Sequence, residues 1–223
     1  MRSPGAPSLL VMPTDFEARR LAEIGGFAPG LALQELCGFG PVASAARTAE
    51  LIARLSPRRV LLVGIAGSFD LDEAPVASAR TFDTVTLDGV GSGTGAGFLP
   101  PSAMGFPQWP GGHGSAADAI EESLPLTTPD GTGGGSLLTV CAAAASEAEA
   151  TLRRERFPAA LGEDMEAFGV ALACSLAGVP LVCVRGISNP VGAGDPGTWK
   201  VDEALAAARE HAQRLLSMEW ESR

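Results

Sequence analysis

Basic side chains are scarce in this sequence: 16 Lys and Arg stand against 26 Asp and Glu, a formal charge of −10 over 223 residues. Nucleic acid is thereby excluded as a partner, because a polyanion needs a basic footprint. The densest clusters are the pairs Arg19-Arg20, Arg58-Arg59 and Arg153-Arg154. Metal ligands are equally thin. His113 and His211 are the only imidazoles, and Cys37, Cys141, Cys174 and Cys183 form no CxxC pair, so no metal site is expected. Long apolar runs are also missing. None approaches the roughly 18 residues of a membrane span, and Leu9–Met12 is cut by Pro13 before it could serve as the core of a signal peptide. No membrane partner is expected. Cys141, Cys174 and Cys183 sit in apolar runs, where a thiol reads as a small buried hydrophobe in a reducing compartment. The expected location is the cytoplasm.

What is present suits a folded enzyme-sized core. Hydrophobic residues make up 46%, and the length fits one large domain, 1–223, better than two small ones, with 1–7 as a flexible tail. The run Leu9–Met12 followed by Phe16, Leu21 and Ile24 near helical spacing predicts strand then helix, capped by Thr14 or Asp15. A second strand is expected over Leu31–Cys37, a helix over Val42–Leu55, and a buried strand over Val60–Ile65. Three β-then-α units in a row predict an α/β fold: a mixed, mostly parallel central sheet covered by helices in three layers. Ala79–Leu87 reads as one strand, and the Gly- and Pro-rich stretch 89–114 as a mobile surface loop, with an active-site lid as the alternative. Further on, an apolar segment over Ser136–Ala143, helices over Ser146–Glu155 and from about Glu163 to Ala177, a strand over Pro180–Ile187 and a C-terminal helix over Trp199–Met218 complete the pattern.

Several short motifs sit where such a sheet places its ligands. Gly38-Phe39-Gly40-Pro41-Val42-Ala43 fits G-x-G-x-x-A, but it follows the second strand, and the ribose-binding acid expected about 20 residues on is absent. A tight strand-to-helix turn explains it better than a dinucleotide. Ala66 and Gly67 end the central strand with small residues that let a ligand approach the backbone. Glu166, in Glu163-Asp164-Met165-Glu166, reads by itself as one of three acids favoured at a helix start. Ser188 and Asn189 close the last apolar strand, and Asn189 would project from its carboxyl edge, or form an Asn-Pro turn. One helix and one returning strand separate Glu166 from Asn189, so the two can meet at one sheet edge, which Glu17 can also reach.

Met165-Glu166 together with Val179–Asn189, the Gly38-Phe39-Gly40 turn, Val63–Gly67 and Leu138-Thr139-Val140 resembles the nucleoside phosphorylase and nucleosidase superfamily. Pro13-Thr14, Ala66–Phe69, Ser188-Asn189, Trp199 and Ala204-Leu205 resemble, within it, a hypoxanthine-releasing subfamily of the alternative menaquinone pathway. The resemblance implies cleavage of an N-ribosidic bond in a small nucleoside without metal or organic cofactor. Its phosphorylases carry an Arg and a Ser or Thr where this chain has Leu62 and Ile65. An apolar pair offers no charge-assisted bonds to phosphate, so water is the expected nucleophile, activated by Glu17. Glu166 matches the ribose-binding glutamate, and Met165 would pack under the sugar. Adenine-releasing relatives carry Asp at the position of Asn189. A neutral amide cannot be a general acid, and it suits a 6-oxopurine that takes up its own negative charge. Phe168 and Trp199 are candidates to stack on the substrate, with core packing as the alternative for each. The resemblance also implies a homo-oligomer. Family members generally have a basic residue shortly after Ser-Asn, and Val191–Asp195 has none, which leaves the substrate's carboxylate without an assigned partner. An adenine-releasing nucleosidase, a silent nucleoside-binding protein and a phosphorylase are the competing readings.

Overall fold

The computed structural model describes residues 5–115 and 117–218. Of the tail expected over 1–7, residues 1–4 lie outside them, while the Pro7 carbonyl accepts the Arg58 N–H at 3.0 Å. The chain runs β1 (Ser8–Met12), α1 (Asp15–Glu23), β2 (Leu33–Leu36), α2 (Pro41–Leu55), β3 (Arg59–Ser68), β4 (Ala79–Thr81), β5 (Thr84–Leu87), α3 (Pro101–Met104), β6 (Ser123–Pro125), β7 (Ser136–Thr139), α4 (Glu147–Arg156), β8 (Ala160–Asp164), α5 (Ala167–Ala177), β9 (Leu181–Pro190) and α6 (Val201–Ser217). All described strands join one mixed, mostly parallel sheet.

Alternation along the central strands explains the layering. Leu9, Val11, Leu62 and Cys183 point into one core with α2 and α5, while Leu10, Leu61, Val63 and Val184 point into a second core with α6. A strand buried on both faces reads as a continuous apolar run, and β3 does so from Val60 to Gly67. Glycine sets the helix spacing on both sides. A Cβ at Gly169 of α5 would strike the Pro41 carbonyl of α2, and one at Gly186 of β9 would strike that of Ala204 in α6.

β9 pairs with β3 in parallel from Val60↔Leu181 to Ser68↔Pro190, occupying one edge along its length. The other edge is shared. β1 covers Arg59–Leu62 in parallel and β8 returns antiparallel on Gly67 and Ser68. Val63–Ala66 are left open on that side.

Two expected elements differ. The single strand over 79–87 is two, because the chain leaves β9 after Thr81 and joins β7 from Thr84, with Phe82 buried at the crossing. The helix expected from Glu163 starts at Ala167. Glu163 and Asp164 belong to β8, and the Asp164 Oδ2 caps the helix by accepting the Ala167 N–H at 2.9 Å. Segment 89–114 has local order, with a 3₁₀ turn at Gly95–Gly97, α3, and bridges Ser92↔Leu99 and Trp109↔Ile120.

Candidate active site

The open stretch of β3 forms the floor of a cavity of about 440 Å³. Glu17 enters from α1. Thr14 is the N-cap and Glu17 the N3 residue of a capping box. Its Oε2 accepts from the Thr14 N–H (3.2 Å) and hydroxyl (2.6 Å), and its Oε1 accepts the Ile65 N–H at 3.1 Å. A buried strand N–H needs a partner, and a carboxylate at the cavity supplies it.

Glu166 enters from the opposite side, at the start of α5. Its Oε1 accepts the Gly40 N–H at 3.1 Å and its Oε2 faces Arg185 Nη2 at 3.3 Å. Gly40 begins α2 with φ 83°, a conformation glycine adopts freely, so the Gly38-Phe39-Gly40 turn serves a side chain of this protein. Arg185, fully buried, also pairs with Asp164, while its Nη1 has no hydrogen-bond partner among the described residues. A Cβ at Gly64 would fall on that Nη1 and 2.7 Å from Glu17 Oε1, so the guanidinium and Glu17 approach each other across a glycine. Burial, together with Asp164 and Glu17, pushes the Glu166 carboxyl up to about 7, against the opposing pull of Arg185 and the Gly40 N–H. Burial alone would lower Arg185, but Asp164 and Glu166 raise it further and keep it charged.

Asn189 lies at the carboxyl end of β9. Its Oδ1 accepts the Ser188 hydroxyl at 2.7 Å and its Nδ2 donates to the Pro190 carbonyl at 2.8 Å. Ala66, Gly67, Met165, Ser188 and Trp199 all line the same cavity. Trp199 is anchored by its indole N–H on the Ala193 carbonyl, 2.9 Å.

Phe168 does not stack at the site and takes the core-packing alternative. It is 2% exposed, sits in the core under the sheet and does not line the cavity. α5 is apolar and buried nearly all round, so its sequence carries no facing signal. Cys141 is exposed despite its apolar run, whereas Cys174 and Cys183 are buried as expected, and so is Cys37. Burial pushes the thiols of Cys37 and Cys183 up to about 12, which removes them as nucleophiles. Among the described residues no group of three His, Cys, Asp or Glu could hold a metal, and segment 89–114 contributes nothing to the cavity lining. Arg185 and Asp164 escaped the sequence reading. The available signal was an arginine inside an apolar strand, which requires a buried acid.

Glu17, Glu166 and the strand-end amide of Asn189 thus stand around one cavity of a mixed, mostly parallel sheet. Residues 32–218 match the phosphorylase superfamily, and the chain belongs to it. It is 38% identical over 202 residues to the futalosine hydrolase of Streptomyces coelicolor, covering 84% of this chain and 83% of that one. It is 31% identical over 157 residues to the 5′-methylthioadenosine/S-adenosylhomocysteine nucleosidase of Chromohalobacter salexigens, covering 70% and 65%. The native structure of Helicobacter pylori futalosine hydrolase shares the fold with a TM-score of 0.72 at 15% identity, over 96% of this chain and 99% of that one.

Proposed function

We propose that the protein is an N-glycosyl hydrolase that cleaves the N-ribosidic bond of futalosine, releasing hypoxanthine and the dehypoxanthinylated product, a step of menaquinone biosynthesis. The observation that carries the reading is the convergence of Glu17, Glu166 and the neutral Asn189 on one cavity, supported by similarity to a futalosine hydrolase over most of both chains.

In this mechanism the bond between the sugar C1′ and the purine nitrogen breaks first, and its electron pair goes to the purine. Positive charge builds on the ribose, and Glu166, ionised, accepts hydrogen bonds from the sugar hydroxyls and stabilises it. Met165 packs under the sugar. The amide of Asn189 donates to the 6-oxopurine as it gains negative charge. Glu17 orients a water, which adds to C1′, and takes its proton. Water rather than phosphate is the nucleophile, since Leu62 is fully buried in the core and Ile65 presents only an apolar side chain. Among the described residues no basic side chain lines the cavity, and Phe16 and Phe39 at its rim are 54% and 64% exposed. A homo-oligomer in which a second copy completes this side is part of the proposal.

Time courses with futalosine, aminodeoxyfutalosine, methylthioadenosine and adenosylhomocysteine, followed for free base, test it. Hypoxanthine release from futalosine, independent of phosphate, is expected to be fastest. Faster adenine release would favour the nucleosidase reading that the Chromohalobacter relative represents.

A further inference from the structure

Four carboxylates line the cavity, Glu17, Glu163, Asp164 and Glu166, and Glu163 has no part in the chemistry above. Glu163, on β8, is 5% exposed. Gly67 stands between it and Asn189 in the sheet, paired with Glu163 on one side and with Asn189 on the other. Glu163 Oε1 accepts the Ala144 N–H at 2.8 Å, and Oε2 pairs with Arg153 Nη1 from α4. The other end of the same guanidinium donates to the Ala142 carbonyl at 2.5 Å. One carboxylate and one guanidinium thus close a ring on the strap 142–144, whose Ala143 and Ala144 line the cavity.

The strap bears on the opposite wall as well. The Ala145 N–H is held by Glu149 Oε2 at 2.7 Å. The Ala145 and Ser146 carbonyls lie against Gly194 and Gly192 of the loop that follows Asn189. A Cβ at Gly192 would come within 2.7 Å of the Ser146 oxygen, and one at Gly194 would overlap that of Ala145. Burial pushes the Glu163 carboxyl up, against the Ala144 N–H and Arg153. A partly buried ion pair pays a desolvation cost that an apolar pair of the same size avoids, and fixed geometry is the best-attested return.

We propose that Glu163 and Arg153 are positioning residues: their ion pair holds the strap 142–146 at a set distance from the Asn189 loop and so determines how tightly the leaving base is gripped. The inference rests on the assignment of a purine nucleoside as substrate. Loss of grip shared by ground and transition states raises KM and spares kcat.

Steady-state kinetics on Glu163→Gln and Arg153→Met, run with futalosine and with methylthioadenosine, read this directly. Each variant is expected to raise KM about tenfold with kcat within about threefold of wild type. Arg153→Lys, which keeps the charge with fewer donors, is expected to recover part of the loss. The paired apolar variant E163L/R153M is expected to keep its melting temperature yet retain the raised KM, and it covers the case in which a single variant fails to fold. An unchanged KM, a loss confined to kcat, or a wild-type KM in the apolar pair would each overturn the proposal. If the wild type cleaves methylthioadenosine and not futalosine, the substrate assignment falls, and the brace is read on methylthioadenosine instead.

Discussion

The two ends of the cavity are built from opposite materials. At the sugar end, Glu17, Asp164, Glu166 and Arg185 crowd together with almost no exposure. At the proposed base end the wall is mostly small and uncharged, made of Gly67, Ala143, Ala144, Ser188, Asn189 and Gly192, and its one carboxylate, Glu163, is paired with Arg153. Dissociative cleavage explains the contrast. In the proposed mechanism a cation developing on the ribose is met by carboxylates, while an anion leaves through an amide and open space. If that comparison is right, the ends should respond differently to substitution.

The largest effect is expected at the sugar end. Glu17→Gln keeps one acceptor oxygen for the capping box, but its amide nitrogen cannot accept the Ile65 N–H, so the melting temperature should drop modestly, and with the base removed kcat should fall by about 10²–10⁴. A small loss of kcat would remove Glu17 from the chemistry. Asn189→Ala comes next. Loss of a donor to the departing purine should lower kcat by about 10²–10³, and quench-flow detection of hypoxanthine would show whether bond breaking itself has slowed.

The third effect depends on pH. The Glu166 carboxyl is raised from 4.5 to about 7, so the folded protein holds a proton that the unfolded chain has released. The associated stability is full below about 4.5 and is lost as pH rises through about 7. Activity should run the other way, since only ionised Glu166 stabilises the ribose cation, and kcat/KM should climb through about 7. Glu166→Gln should flatten both profiles, measured as melting temperature and kcat/KM from pH 5 to 8.5. A wild-type kcat/KM that does not rise across that range would contradict the assigned role. The smallest effect belongs to the base end. A Cβ at Gly67 would lie 3.0 Å from Val191 Cγ2 and 3.3 Å from Asn189 Nδ2, so Gly67→Ala should raise KM about tenfold, at a cost of about 1–3 kcal/mol for forced repacking, with kcat little changed.

Legibility in the sequence follows the range of the interactions. The β-then-α order and the central strand were readable because buried strands carry continuous apolar runs, and Thr14 could be seen as a cap because its partner is three residues away. Glu166 looked like an ordinary helix-start acid, since its fixing groups, Gly40 and Arg185, are 126 and 19 residues distant. The family resemblance, rather than any local pattern, singled it out. The strand at Glu163-Asp164 is hidden in the sequence because acids before an apolar helix imitate a dipole-favoured start, and their real partners, Arg153, Ala144 and Thr139, are not local. For Phe168, a helix buried nearly all round gives no clue to which face meets the site.

The bare stretch of β3 between β1 and β8 has an evolutionary corollary. Catalytic room here comes from two neighbouring strands that stop short of each other, so the site is a vacancy in the hydrogen-bond ladder. Lengthening β1 by two or three residues would extend that ladder over Gly64 and Ile65 and zip the opening shut. Such an insertion would leave a sturdier protein that no longer has anywhere to put a nucleoside.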